Sequence, residues 1–133
     1  RLPAGPPGPD ELTICGVRPG MLRSEVDREL EGLEEGVYLW PEPRRHVGCH
    51  CECPRVYVEF DSRGRVARVR GPQLERNGWR MVDYWDSIGR AERALNRPLH
   101  PEGVTLADLG LRGEFGRDDR GWRAREWTLV PVR

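Results

Sequence analysis

The chain has 133 residues, one domain's worth on the usual scale of roughly 100–200 residues per domain. Its 22 basic residues, all arginine, balance 22 acidic ones, so it lacks the basic surplus of a dedicated nucleic-acid binder. No stretch approaches the ~18 consecutive apolar residues of a membrane helix, and 37% hydrophobic content with five tryptophans excludes outright disorder.

Residues 1–10 are rich in Pro and Gly and are expected to form a flexible or polyproline-like leader, a linker or a tether. Arg1 is not an initiator methionine, so a processed or excised piece is expected. The rest, 11–133, reads as a single α+β domain. Thr13 to Val17 is a short apolar segment ended by the Pro19-Gly20 turn signal. Leu22, Val26, Leu30 and Leu33 then form one stripe of an amphipathic helix of about three turns, with Gly32 near its C-cap. Val37 to Trp40 predicts a strand stopped by Pro41 and Pro43.

Residues 41–54 form a polar loop that holds Cys49, Cys51 and Cys53; the fourth cysteine is Cys15. In an extended segment the three clustered sulfurs share a face, because side chains alternate. Three outcomes stay open. The four cysteines can form one or two disulfides, with Cys15 pairing one of the three, each bridge contributing ~3–4 kcal/mol on the chain-entropy model. They can be free thiols. Or they can hold zinc, with Cys15 or His46 as fourth ligand, although structural zinc sites favour wider cysteine spacing.

Val56, Val58 and Phe60 alternate, Asp61-Ser62-Arg63-Gly64 turns, and Arg65 to Arg70 returns, which predicts a β-hairpin. Residues 72–80 read as polar and turn-rich. Trp79, Met81, Val82, Tyr84 and Trp85 lead into a second helix with Asp86 or Ser87 as N-cap, Ile88, Ala91, Ala94 and Leu95 on one stripe, and Pro98 as its end. Leu106 to Phe115 and Trp122 to Val132 read as two β segments around a turn at 116–121. In strict alternation, Arg123, Arg125 and Trp127 share one face of the last segment, and Trp122, Ala124 and Glu126 the other. The expected fold is two tandem helix-plus-antiparallel-strand modules, half-repeats 11–71 and 72–133, with helices covering one face of the sheet.

The run Gly16 to Leu30, with Gly20-Met21, Glu25-Val26 and Leu30 in register, resembles the opening "I-x-x-G-M-S/T-x-x-E-V-x-x-x-L-G" of the BamE/SmpA-type outer-membrane lipoproteins, which the β-lactamase inhibitor protein (BLIP) superfamily shares. Val56 to Val66 resembles the strand pair "V-x-V-x-F-D-x-x-G-x-V" that follows it there, and Trp85 to Leu95 is similar to a second copy of the opening. Leu22 stands where those families place Ser or Thr, and Trp85 where they place Gly. The resemblance covers about two-thirds of the chain. It implies a non-catalytic, extracytoplasmic, periplasmic or secreted domain that binds or scaffolds another protein.

The residues themselves carry no catalytic signature: no nucleophile elbow, no phosphate-binding loop, no H-E-x-x-H. A Cys–His pair drawn from Cys49 or Cys51 with His46 or His50 lacks a third group to orient it. Asp118-Asp119, flanked by Arg117 and Arg120, reads as a charged turn. The candidate partner-binding residues are Trp85, Arg123, Arg125 and Trp127, of the types enriched at interface hot spots. Two other readings stand beside a protein-binding domain: a metal- or redox-responsive cysteine loop, and a cytoplasmic immunity or adaptor protein.

Overall fold

Apolar residues alternating with charged ones build the larger of two antiparallel sheets. The computed structural model describes residues 5–41 and 55–132. The strands are β1 (Leu12–Ile14), β2 (Glu31–Glu34), β3 (Val37–Leu39), β4 (Arg55–Phe60), β5 (Val66–Gly71), β6 (Leu74–Arg76), β7 (Trp79–Val82), β8 (Val104–Leu106), β9 (Leu111–Asp118) and β10 (Gly121–Leu129). The helices are α1 (Arg23–Glu29) and α2 (Ile88–Leu95). Seven strands run in the order β2-β3-β4-β5-β10-β9-β8, and three in the order β1-β6-β7.

The protein is therefore mostly β, which corrects the expectation of two helix-plus-strand modules with helices covering the sheet. Two local reasons account for the difference. First, α1 lasts seven residues. Glu25 reaches back to accept the Leu22 N–H at 2.9 Å, but Leu22 has no hydroxyl to complete the capping box. At the other end Leu30 adopts an extended backbone and the chain passes directly into β2, where Leu33 is exposed. Second, residues 72–80, expected to be polar and turn-rich, hold β6 and the start of β7. Asn77 and Gly78 both have positive φ, 50° and 81°, and close a two-residue hairpin loop between Arg76 and Trp79. The inner face of the large sheet is covered by a mixed layer, in which β1, β6 and β7 share one core cluster with Val26 of α1 and Ala91 and Leu95 of α2.

The hairpin of β4 and β5 forms as its alternation predicts. The segment expected over Leu106 to Phe115 is not one strand: it spans the end of β8, a turn and most of β9. A 3-10 turn at Ala107–Leu109 and a left-handed Gly110 fold β8 back onto β9.

The last strand departs from strict alternation. The register of β10 on β9 shifts between Ala124 and Glu126, leaving a bulge at Arg125. Ala124, Trp127 and Leu129 consequently all face the core, at 0%, 1% and 2% exposure. Trp127 is thus removed from the surface stripe expected for it. Its ring meets Phe115 edge-on at 5.8 Å, and its indole N–H is buried with no acceptor among the described residues. Gly113 opposite makes room: a Cβ there would sit 2.6 Å from the Trp127 ring.

At the start of the described chain, the buried Arg76 guanidinium holds the backbone down. It donates to the carbonyls of Gly5 and Pro6 and pairs with Glu11 at 2.8 Å. That pair, with the Gly8 N–H, depresses the Glu11 carboxyl to about 2.

Two outcomes follow from this packing. Gly113→Ala should lower unfolding free energy by about 1–3 kcal/mol, read by urea denaturation, because the Trp127 ring cannot yield without moving the core; unchanged stability would contradict the packing. Glu11 has a depressed folded pKa, so its contribution is present above its unfolded value of 4.5 and is lost as pH falls towards about 2. Glu11→Gln should therefore melt below the parent at pH 7, and the two curves should converge near pH 2.

Candidate functional site

The side chains that β5, β10 and β9 turn away from the core form one outer face, and two features meet on it. The first begins in the turn before α2. Asp86 closes that turn by accepting the Asp83 N–H at 2.7 Å, and Ser87 caps α2 by accepting the Arg90 N–H at 3.2 Å. Within the turn, between Asp83 and Asp86, Trp85 takes a left-handed backbone, φ 68°. For a bulky residue that costs roughly 1–3 kcal/mol and persists only where surroundings over-determine it.

Those surroundings are specific. The Trp85 N–H donates to the Ala124 carbonyl at 2.7 Å, and the Ala124 N–H donates to the Asp86 carbonyl at 2.8 Å. The turn thus pairs with β10 on the side away from β9. From there the indole reaches across β10 and lies against Gly116 of β9, where an added Cβ would stand 2.9 Å from the ring and 2.7 Å from the Arg125 Cδ. The indole N–H donates to Asp118 Oδ2 at 3.2 Å, and Arg123 Nε donates to the same oxygen at 3.2 Å. The Arg120 N–H, above all, and then these two donors hold the Asp118 carboxyl below the usual range against the opposing effect of burial. Tyr84 adds a second ring, 5.7 Å from that of Trp85.

The structure therefore brings Trp85, Arg123 and Arg125 together and sends Trp127 to the core. Arg123 is held by Asp118, whereas Arg125 is exposed. Trp122 lies under the Arg117 guanidinium at 5.6 Å. Asp118, read from the sequence only as part of a turn, is the acceptor that fixes both Trp85 and Arg123. Gly116 was missed as well; its signal is a lone glycine within a β segment, which marks close approach of another group.

The second feature is a cleft of about 660 Å3 farther along the same face, walled on one side by Val130 and Val132. Its floor is ordered by strand register. Arg70, Thr128, Arg112 and Thr105 stand opposite one another across β5, β10, β9 and β8, with Tyr57 of β4 beyond Arg70 outside the cleft and Arg68 lining it farther along β5. Arg70 stacks over Tyr57, with its guanidinium carbon 4.4 Å from the ring centre. The next outward row on β9 and β10 is acidic: Glu114 stands opposite Glu126. Burial pushes the Glu126 carboxyl above its ordinary range; Arg70, at 3.4 Å, opposes this and Glu114 adds to it. Arg125 and Glu126, adjacent in the bulge, join the cleft to the Trp85 feature.

Of the four candidate cysteines only Cys15 lies within the described residues, and it is buried beside Gly71. Cys49, Cys51 and Cys53, with His46 and His50, lie outside them, so the disulfide, thiol and zinc readings of that loop remain expectations. Among the described residues no group of three or more His, Cys, Asp and Glu side chains is placed to hold a metal ion. No helix among them is long and apolar enough to cross a membrane. Compared with family models, with curated proteins and with solved structures, the chain matches none.

The acidic row has a measurable consequence. A carboxyl whose folded pKa is raised gives stability that is present below its unfolded pKa and lost as pH rises through the folded one. Glu126→Gln should therefore raise stability at pH 7 by about 0.2–1 kcal/mol, the scale of like charges directly opposite on a sheet. The gain should fade below about pH 4.5, the ordinary value for this group. Thermal melts across pH check this, and a loss of stability at pH 7 would contradict it.

Proposed function

We propose that this is a non-catalytic protein-binding domain whose contact surface is the outer face around Trp85, Tyr84 and Arg125. The observation that carries this reading is the placement of Trp85. A bulky residue is kept in a left-handed backbone, fixed by its own amide and its indole N–H, with its ring laid across the sheet beside an exposed arginine. Such a ring is pre-organised, so little side-chain entropy is lost when a partner covers it. Trp, Tyr and Arg are also the residue types on which interface energy concentrates.

The resemblance to the BamE/SmpA-type and BLIP-like proteins supports the same class of function and an extracytoplasmic or envelope-associated setting. It does not extend to β-lactamase inhibition, because binding surfaces vary independently of a fold.

The test is comparative capture from a lysate of the producing organism, using immobilised wild type, Trp85→Ala, Arg125→Ala and the control Trp79→Ala. Trp79 is 54% exposed on β7, away from the proposed surface. A partner held by wild type and by the control should be lost at least about tenfold with Trp85→Ala, a hot-spot-sized effect of ~1.4 kcal/mol or more. Equal capture by all four proteins, or loss only with Trp79→Ala, would overturn the reading.

A further inference from the structure

The cleft beside the Trp85 surface has a charge pattern of its own. Its upper row sets Arg70 and Arg112 on the strands either side of Thr128, with the Arg70 guanidinium resting over Tyr57, and Arg68 lines the same end of the cleft. Adjacent strands are about 4.8 Å apart, so the two arginines flank a position over Thr128 that a carboxylate can share. Arg112 is exposed and has no ion-pair partner among the described residues. Arg70 is only loosely engaged by Glu126, at 3.4 Å. The lower row, Glu114 and Glu126, is two residues along the same strands, about 7 Å away. Three arginines at one end and two carboxyls at the other make a pattern that neither a simple anion nor a simple cation satisfies.

We propose that this cleft binds an extended peptide segment of the partner protein that carries an acidic side chain and a basic side chain two residues apart. The spacing of the two rows equals the i to i+2 distance of an extended chain. The acidic side chain lies over Thr128 between Arg70 and Arg112, and the basic one between Glu114 and Glu126. Val130 and Val132, both about 40% exposed at the wall, receive an apolar side chain two positions from the acidic residue, on the side away from the basic one. The volume, about 660 Å3, is that of a cleft for several residues of peptide rather than for a single ion. The cleft joins the Trp85 surface through Arg125 and Glu126, so one partner can span both. The inference rests on the protein-binding reading for its choice of a peptide, and on the two charged rows for its specificity.

The experiment titrates 15N-labelled protein with three short capped peptides of one Val/Ser framework, bearing Glu-x-Arg, Glu-x-Glu or Arg-x-Arg. Glu-x-Arg should move the amide signals of Thr128, Arg112 and Glu126 and bind at least about tenfold tighter than either other peptide. Arg112→Gln, at an exposed position, should weaken it about fivefold or more without changing the thermal melt. Preference for Glu-x-Glu would assign a plain anion site and overturn the proposal, as would equal affinity for all three or no shift at Thr128. Partner capture by Arg112→Gln keeps the two readings apart. Capture lost with Trp85→Ala, in a protein that binds none of the peptides, sinks the cleft proposal alone. Glu-x-Arg binding without Trp85-dependent capture sinks the Trp85 surface alone.

Discussion

One extra residue in β10 decides which side chains this protein buries and which it shows. Strict alternation from Arg123 would carry Arg125 and Trp127 outward together. The bulge at Arg125 reverses the strand beyond it, so Trp127 and Leu129 enter the core while Glu126 and Thr128 turn out. The core gains its largest fully buried side chain by this reversal. The surface gains the acidic row and the threonine of the cleft. Gly113, facing Trp127, and Gly116, under Trp85, are the two places on β9 where a side chain is absent so that a ring from elsewhere can lie flat.

The bulge also sets up the edge that the Trp85 turn uses. β5 pairs with β10 only over residues 127–129, so the β5 side of Ala124 is open to the Trp85–Asp86 backbone. The strained Trp85 conformation then makes sense as the outcome of several constraints that agree. Two backbone hydrogen bonds tie the turn to Ala124, the Asp86 carboxylate closes it onto the Asp83 N–H, Ser87 caps the helix that follows, and Asp118 holds the indole from the far strand. Each of these is ordinary in strength, about 1 kcal/mol. Together they are of the size needed to hold one left-handed tryptophan.

Much of the large sheet was legible in the sequence. The β4–β5 hairpin carries its alternation and its Asp61-to-Gly64 turn openly, and the stripe of Ala91 and Leu95 with the Ser87 cap marks α2. The Asn77-Gly78 hairpin was not read from the sequence: its turn residues are marked, but its strands are three and four residues long and present little period to count. Two features were not legible for a physical reason. A helix stripe says which face is apolar, not where packing ends the helix, so α1 stops before Leu33 although the stripe continues. A bulge adds one residue without any required residue type, and Arg125 carries no mark of it. Of the site residues, Trp85, Arg123 and Arg125 were found by type. Asp118, Gly116 and the rows of the cleft depend on cross-strand register, which a single sequence does not contain.

The measurement that bears most directly on this account is the pair of tryptophan environments in solution, read by nuclear Overhauser contacts. The account predicts contacts from the Trp85 ring to the Gly116 α-protons, and from the Trp127 ring to Gly113 and Phe115. A Trp127 ring in contact with Arg125 at the surface, and no contact between Trp85 and Gly116, would contradict it.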